Sequence, residues 1–282
     1  MSREETPRSA DREALIFLHI PKTAGTTLNR IIESQYSPFA IFTMDPHRIR
    51  ATAERFKRLS EARRRRLQVV RGHLFYGIHE FLPQGATYIT MLREPVARLL
   101  SSYYFILRRP LNPLHRKLKS EGLGVEDCIR LFPDRNNTQC RFIAGVKDAA
   151  IADERLLDMA KENLTKSFSV VGICERFEES LILISKTFGW EIPFYKNQKV
   201  AKSRPVVEPK LADLIRDHNR LDVELYEFGK KLFEQSLRKK EEAVREGLAT
   251  LRAIPKPGRL ERSFLSTMSA ARFLSNKIVS AI

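Results

Sequence analysis

A chain of 282 residues with 43% hydrophobic residues, 14 Pro and 12 Gly has material for one generous α/β domain or two small ones, and its composition is not that of a disordered or fibrous protein. Its three cysteines (Cys128, Cys140 and Cys174) are odd in number and lack CxxC spacing, which argues against a disulfide framework and against a thiolate zinc site. The formal charge of +16 is local: residues 48–66, 98–119 and 252–282 together carry a net +18 and the rest nets −2, a placement that suits an anionic ligand or a membrane surface better than general solubility.

Residues 1–13, MSREETPRSADRE, are polar and read as a disordered lead-in without the apolar core of a signal peptide. No window reaches the ~18 apolar residues of a membrane span. The expectation is a soluble, cytoplasmic protein with at most peripheral membrane contact through its basic tail. Residues 15–20 predict a buried strand, PKTAGTT a turn, and Leu28, Ile31 and Ile32 the face of a helix. Residues 37–46 read as an irregular connection. Residues 49–67 have helical spacing and a basic face that ends in four consecutive arginines, Arg63 to Arg66.

LQVVRGH is then a short strand, and residues 87–92, TYITML, another. Pro95 suits the first turn of a helix reaching Leu107. Residues 109–124 form a basic loop with room for a short helix. Helical signals follow at 125–131 and 153–164, a strand at 168–173, and a helix at 177–188. After a polar, basic stretch at 192–205, a long helix begins at Pro209. Pro255 to Gly258 separate a last amphipathic segment, 264–279. This alternation predicts an α/β domain over 14–235, a mainly parallel sheet with helices on both faces, and a basic helical extension over 236–282.

A strand, a Thr/Gly turn with one lysine and a helix start make an anion cradle, because backbone N–H groups at a helix N-terminus lack partners and the dipole favours negative charge there. An ordinary strand-to-helix turn is the plainer alternative for the same residues. A Mg·ATP loop would need GxxxxGK[ST]. Here Lys22 stands at the front of the turn with no glycine before it, and later strand ends offer Arg71 and Arg93 rather than an aspartate. A reaction on an anion that needs no metal fits better.

Several motifs in chain order carry a resemblance: HIPKTAGTT at 19–27, GHLFYGIHEFLP at 72–83, TMLREPVARLLSSYYF at 90–105, NNTQCRFIAG at 136–145 and VVGICERFEESLILISKTFGW at 170–190. With LDVELYEF at 221–228 they span roughly residues 15–235 and resemble the PAPS-dependent sulfotransferases, in the carbohydrate 2-O-sulfotransferase-like branch with its bacterial relatives. The resemblance implies a P-loop-nucleotide-hydrolase-like sulfotransferase fold. It also implies 3′-phosphoadenosine 5′-phosphosulfate (PAPS) as sulfuryl donor without a metal, and a hydroxyl-bearing acceptor, a saccharide in that branch.

Residue by residue, it implies that Lys22 stabilises the leaving group. Thr23, Ala24, Gly25, Thr26 and Thr27 would hold the 5′-phosphate through amides and hydroxyls, with Gly25 allowing close approach. Arg93 and Ser101 would take the 3′-phosphate. His73 would be the general base, an imidazole suiting the role because its pKa lies near working pH, with Lys22 and Arg71 expected to keep it neutral. Lys199, Ser203 and Arg204 match a loop closing over the donor. His19 and His79 read as structural.

The chain departs from the animal members of the branch, which have a histidine where Arg71 stands and carry an N-terminal membrane anchor, a segment not expected here. The basic stretches 108–119 and 196–204 would suit an acidic saccharide, or are solvated loops. Two other classes compete: a non-catalytic basic module for nucleic acid or an anionic membrane, favoured by the arginine run but without a nucleic-acid-binding signature, and an ATP-dependent small-molecule kinase. No nucleic-acid partner is expected.

Overall fold

The computed structural model describes residues 13–147, 153–191 and 207–253. The first strand, β1 (Ala14–Leu18), is apolar throughout and buried along its whole length. A strand with no polar face must be covered on both sides, and parallel sheets provide that. β1 accordingly lies at the centre of a five-stranded, all-parallel sheet of order β2-β3-β1-β4-β5. The other strands are β2 (Ile41–Met44), β3 (Val69–Gly72), β4 (Ala86–Leu92) and β5 (Phe168–Ile173).

Twelve helices flank the sheet. They are α1 (Gly25–Gln35), α2 (Ile49–Arg58), α3 (Glu61–Arg65), α4 (Pro95–Leu107), α5 (Pro113–Ser120) and α6 (Val125–Leu131). They continue with α7 (Thr138–Ala144), α8 (Asp153–Ser167), α9 (Phe177–Phe188), α10 (Pro209–His218), α11 (Arg220–Lys239) and α12 (Glu241–Ala253). The count holds for the described residues, and none of these helices is long and apolar enough to cross a membrane.

The α/β architecture and the sequence-predicted strands are found, with differences that have local causes. Residues 37–46 contain an edge strand: IFTM pairs Met44 with Gly72 of β3, and four residues bounded by Pro38 and Pro46 are too few for a strand period to register. The basic helix at 49–67 is two helices, broken where the Ser60 hydroxyl caps α3 by accepting from Arg63 N–H at 3.3 Å. The helix from Pro209 is also two, broken at Asn219, and α7 lies in a stretch where no helix was expected. Residue 235 falls inside α11, and α12 folds back so that Val244 joins the main core and Gly247 lies against Ile182 of α9. The segment 264–279 lies outside the described residues.

Three arginines of the run are engaged locally. The Arg64 guanidinium donates to the carbonyls of Lys57 and Leu59 at the end of α2, Arg63 to that of Phe39, and Arg65 pairs with Glu61. Arg71 is 3% exposed and forms a 2.5 Å ion pair with Glu33, joining β3 to α1. Removing one partner of a buried pair strands the other charge at a cost of about 3–5 kcal/mol. Glu33→Ala should therefore lower unfolding free energy by about that amount in urea denaturation, and Glu33→Leu combined with Arg71→Met should recover part of the loss.

Candidate active site

β1, β3 and β4 end almost level, Leu18 being paired with Gly72 on one side and Thr90 on the other. The chain runs from β1 outward to β2 and β3 in one direction and to β4 and β5 in the other. The carboxyl end of β1 is thus a topological switch point, where open α/β sheets place their ligand crevice. The three segments leaving these strands carry Lys22, His73 and Arg93.

The loop after β1 is wound tightly. Lys22 (φ 75°) and Ala24 (φ 60°) are left-handed, two of the three non-glycine residues with positive φ among those described, a conformation that costs an ordinary residue about 1–3 kcal/mol. Thr23 is fully buried and donates its hydroxyl to the Ile20 carbonyl at 2.9 Å. The hydroxyl thus closes the turn. Ala24 is the N-cap of α1, whose first turn has no acidic residue and no side-chain cap among the described residues. Thr26 is partly exposed and Thr27 buried.

Gly25 also answers to a packing constraint. A Cβ there would stand 2.0 Å from Nε2 of His19, so the missing side chain makes room for the His19 ring. That ring stacks on Phe17 at 5.4 Å and lies 4.4 Å from the ring of His73. His73 is aimed by Gly72, which has φ 123° and whose Cβ would meet the Met44 carbonyl at 2.8 Å.

Nδ1 of His73 lies 2.7 Å from the His19 carbonyl oxygen. A carbonyl only accepts, so Nδ1 carries the proton and the lone pair sits on Nε2. Burial lowers the His73 pKa from the ordinary imidazole value; the bond to His19 opposes this, and His47 and Lys22 add to the lowering. Arg71 is engaged by Glu33, whose charge offsets its own. His79 N–H donates to the Tyr88 hydroxyl at 3.3 Å and its Nδ1 lies 2.9 Å from the same oxygen, a structural setting.

Arg93 follows the last residue of β4 and reaches back, its guanidinium donating to the Lys22 carbonyl at 2.9 Å; its Nε has no hydrogen-bond partner among the described residues. The Lys22 ammonium lies 4.1 Å from the centre of the Phe105 ring, with Arg109 at 5.3 Å from the same ring. Phe105 is one helical turn beyond Ser101, which puts the two on one face of α4. The structure thus joins Lys22, His73 and Arg93 through the loop, with Ser101 on the neighbouring helix. Lys199, Ser203 and Arg204 lie outside the described residues. Sequence reasoning missed Phe105, whose position four residues after Ser101 was the available signal, and the contact of His19 with His73. A separate cavity of about 170 Å³, lined by Pro21, Arg98, Ser102, Tyr103 and Asn136 among others, opens beside the loop and contains none of the three.

A family model described as galactose-3-O-sulfotransferase matches residues 2–269, and the chain belongs to that family. It is an enzyme that transfers sulfuryl groups. Among its relatives, heparan sulfate 2-O-sulfotransferase 1 of Xenopus laevis is 26% identical over 266 residues, covering 83% of this chain and 74% of the relative. The Homo sapiens protein of the same name is 24% identical, covering 78% and 70%. Galactose-3-O-sulfotransferase 3 of Mus musculus is 27% identical over 245 residues, covering 79% of this chain and 57% of the relative.

Proposed function

We propose that this sulfotransferase moves the sulfuryl group of PAPS to a saccharide hydroxyl, with His73 as general base and Lys22 at the leaving group. The observation that carries the reading is the pairing of His73 with the His19 carbonyl at 2.7 Å, which leaves Nε2 as the proton acceptor beside a loop suited to an anion. The residues fit the donor. The start of α1 offers backbone N–H groups without a competing carboxylate in its first turn, and Lys22 and Arg93 bring positive charge to the same loop. The saccharide class is supported by the relatives, whose names specify heparan sulfate and galactose.

In this scheme His73 Nε2 takes the acceptor hydroxyl proton as that oxygen forms its bond to sulfur and the bond from sulfur to the bridging phosphate oxygen breaks. Lys22 balances the charge appearing on that bridging oxygen, and adenosine 3′,5′-bisphosphate leaves. Because a sulfuryl group carries less charge than a phosphoryl group, a lysine and backbone amides suffice in this reading. Arg93 and Ser101 hold the 3′-phosphate.

His73→Ala should lower the transfer rate by about 10²- to 10⁴-fold while leaving adenosine 3′,5′-bisphosphate affinity nearly intact. A depressed pKa keeps His73 neutral down to lower pH, so the acidic limb of kcat/KM for the parent should fall below the ordinary value of ~6.5. An unchanged rate in the variant, or a limb well above that value, would count against the base assignment. Arg93→Ala should weaken adenosine 3′,5′-bisphosphate by about 10- to 100-fold and AMP far less in calorimetric titrations; equal losses would remove Arg93 from the 3′-phosphate.

A further inference from the structure

Arg93 stands just beyond the hydrogen-bonded ladder. The pairing of β4 with β5 ends at Leu92 and Ile173, and that of β4 with β1 ends at Thr90. The next residues, Glu94 and Pro95, open α4. The peptide groups flanking Arg93 therefore have no neighbouring strand to bond, although a partly buried amide left without a partner is costly. A side chain supplies what the sheet does not. The Gln139 carboxamide accepts from Arg93 N–H at 2.9 Å through Oε1 and donates to the Arg93 carbonyl at 2.9 Å through Nε2. A carboxamide offers a donor and an acceptor side by side, so Gln139 acts as a one-residue substitute for a paired strand.

Gln139 is itself held without freedom. It is fully buried in the first turn of α7, and its N–H donates to Asp222, whose other carboxylate oxygen accepts from Cys140 N–H at 2.8 Å. Asp222, also fully buried and facing Arg98 of α4 at 3.5 Å, thus caps α7 from α11. The cap is reciprocated: Oδ1 of Asn137 accepts from the N–H groups of Leu221 and Asp222, and Asn137 N–H donates to Asn219 at 3.0 Å. Asn137 is the third left-handed non-glycine residue among those described, which fits a chain bent to make both contacts. Two mutually capped helices thereby hold a carboxamide against the backbone of the arginine that grips the Lys22 carbonyl.

We infer that Gln139 is a positioning residue for the donor site: it fixes the Arg93 backbone so that the guanidinium is aimed at once toward the Lys22 loop and toward the 3′-phosphate. The inference rests on the assignment of Arg93 above. It does not make Gln139 a catalytic residue, since every contact it makes to the site passes through Arg93.

The test compares calorimetric affinities for adenosine 3′,5′-bisphosphate and AMP in the parent, in Gln139→Leu and in Gln139→Glu, each with its thermal midpoint. The parent should prefer the bisphosphate. Gln139→Leu, which loses both hydrogen bonds at similar volume, should cut that preference about tenfold while AMP affinity stays within about twofold, and Gln139→Glu, which keeps the acceptor for Arg93 N–H, should retain an intermediate preference. If Gln139→Leu does not fold, an intermediate preference in Gln139→Glu supports the inference and an undiminished one overturns it. A lower thermal midpoint with the preference intact, or equal losses for both ligands, means a purely structural role and overturns the inference while leaving the Arg93 assignment standing. Absence of any preference in the parent overturns that assignment, and the inference with it.

Discussion

Within four residues after β1, the carbonyl oxygens of His19, Ile20 and Lys22 each accept a hydrogen bond from a side chain. Ile20 is bonded by Thr23 within the loop, His19 by His73 from the end of β3, and Lys22 by Arg93 from the end of β4. These bonds bring two distant segments to one turn at the start of α1. Such a turn is expensive, because Lys22 and Ala24 are left-handed without being glycine. It persists where the surroundings over-determine it, and here the sheet on either side does so. The anion-binding and proton-accepting roles proposed for the site both depend on how this backbone is pinned.

The charge of the chain has a similar lesson. A formal +16 invites a reading as a broad polyanion-binding surface, but much of the clustered charge has local employment. Three of the four consecutive arginines bond carbonyls or Glu61, Arg71 is buried against Glu33, and Arg98 faces Asp222 in the interior. Buried guanidinium groups in such settings organise packing and polar satisfaction rather than attract ligands. Among the described residues the cationic groups around the loop are few, Lys22, Arg93 and Arg109, two of them against the Phe105 ring.

Much of the fold was legible in the residues. Buried parallel strands are short apolar runs, and β1, β3, β4 and β5 declared themselves in that way, as did α4 with proline at its first position and α9 with its apolar period. Strand β2 escaped because an edge strand of four residues between prolines carries too little pattern. The breaks at Ser60 and Asn219 escaped because apolar periodicity runs through a capped junction without interruption. In the site, Lys22, His73 and Arg93 were picked out by motif order and stand on three segments that meet at one loop, whereas the contacts of Thr23 with Ile20, Gly25 with His19 and Arg71 with Glu33 were not legible, since each is set by a neighbour remote from the turn or folded back over it.

The sequence by itself determined the α/β class, the strand-turn-helix at 14–35 and the residue types able to handle an anion and a proton, because these depend on local periodicity and on chemistry carried by single side chains. Only the tertiary structure decided which nitrogen of His73 bears the proton, that the missing side chain of Gly25 makes room for the His19 ring, that Arg71 belongs to Glu33, and that Gln139 stands in for a missing strand beside Arg93. Each of these is a contact between residues far apart in the chain or brought together by an unusual turn. Backbone groups must find partners wherever they are buried, and which partners they find is fixed only when the whole sheet and its helices are in place.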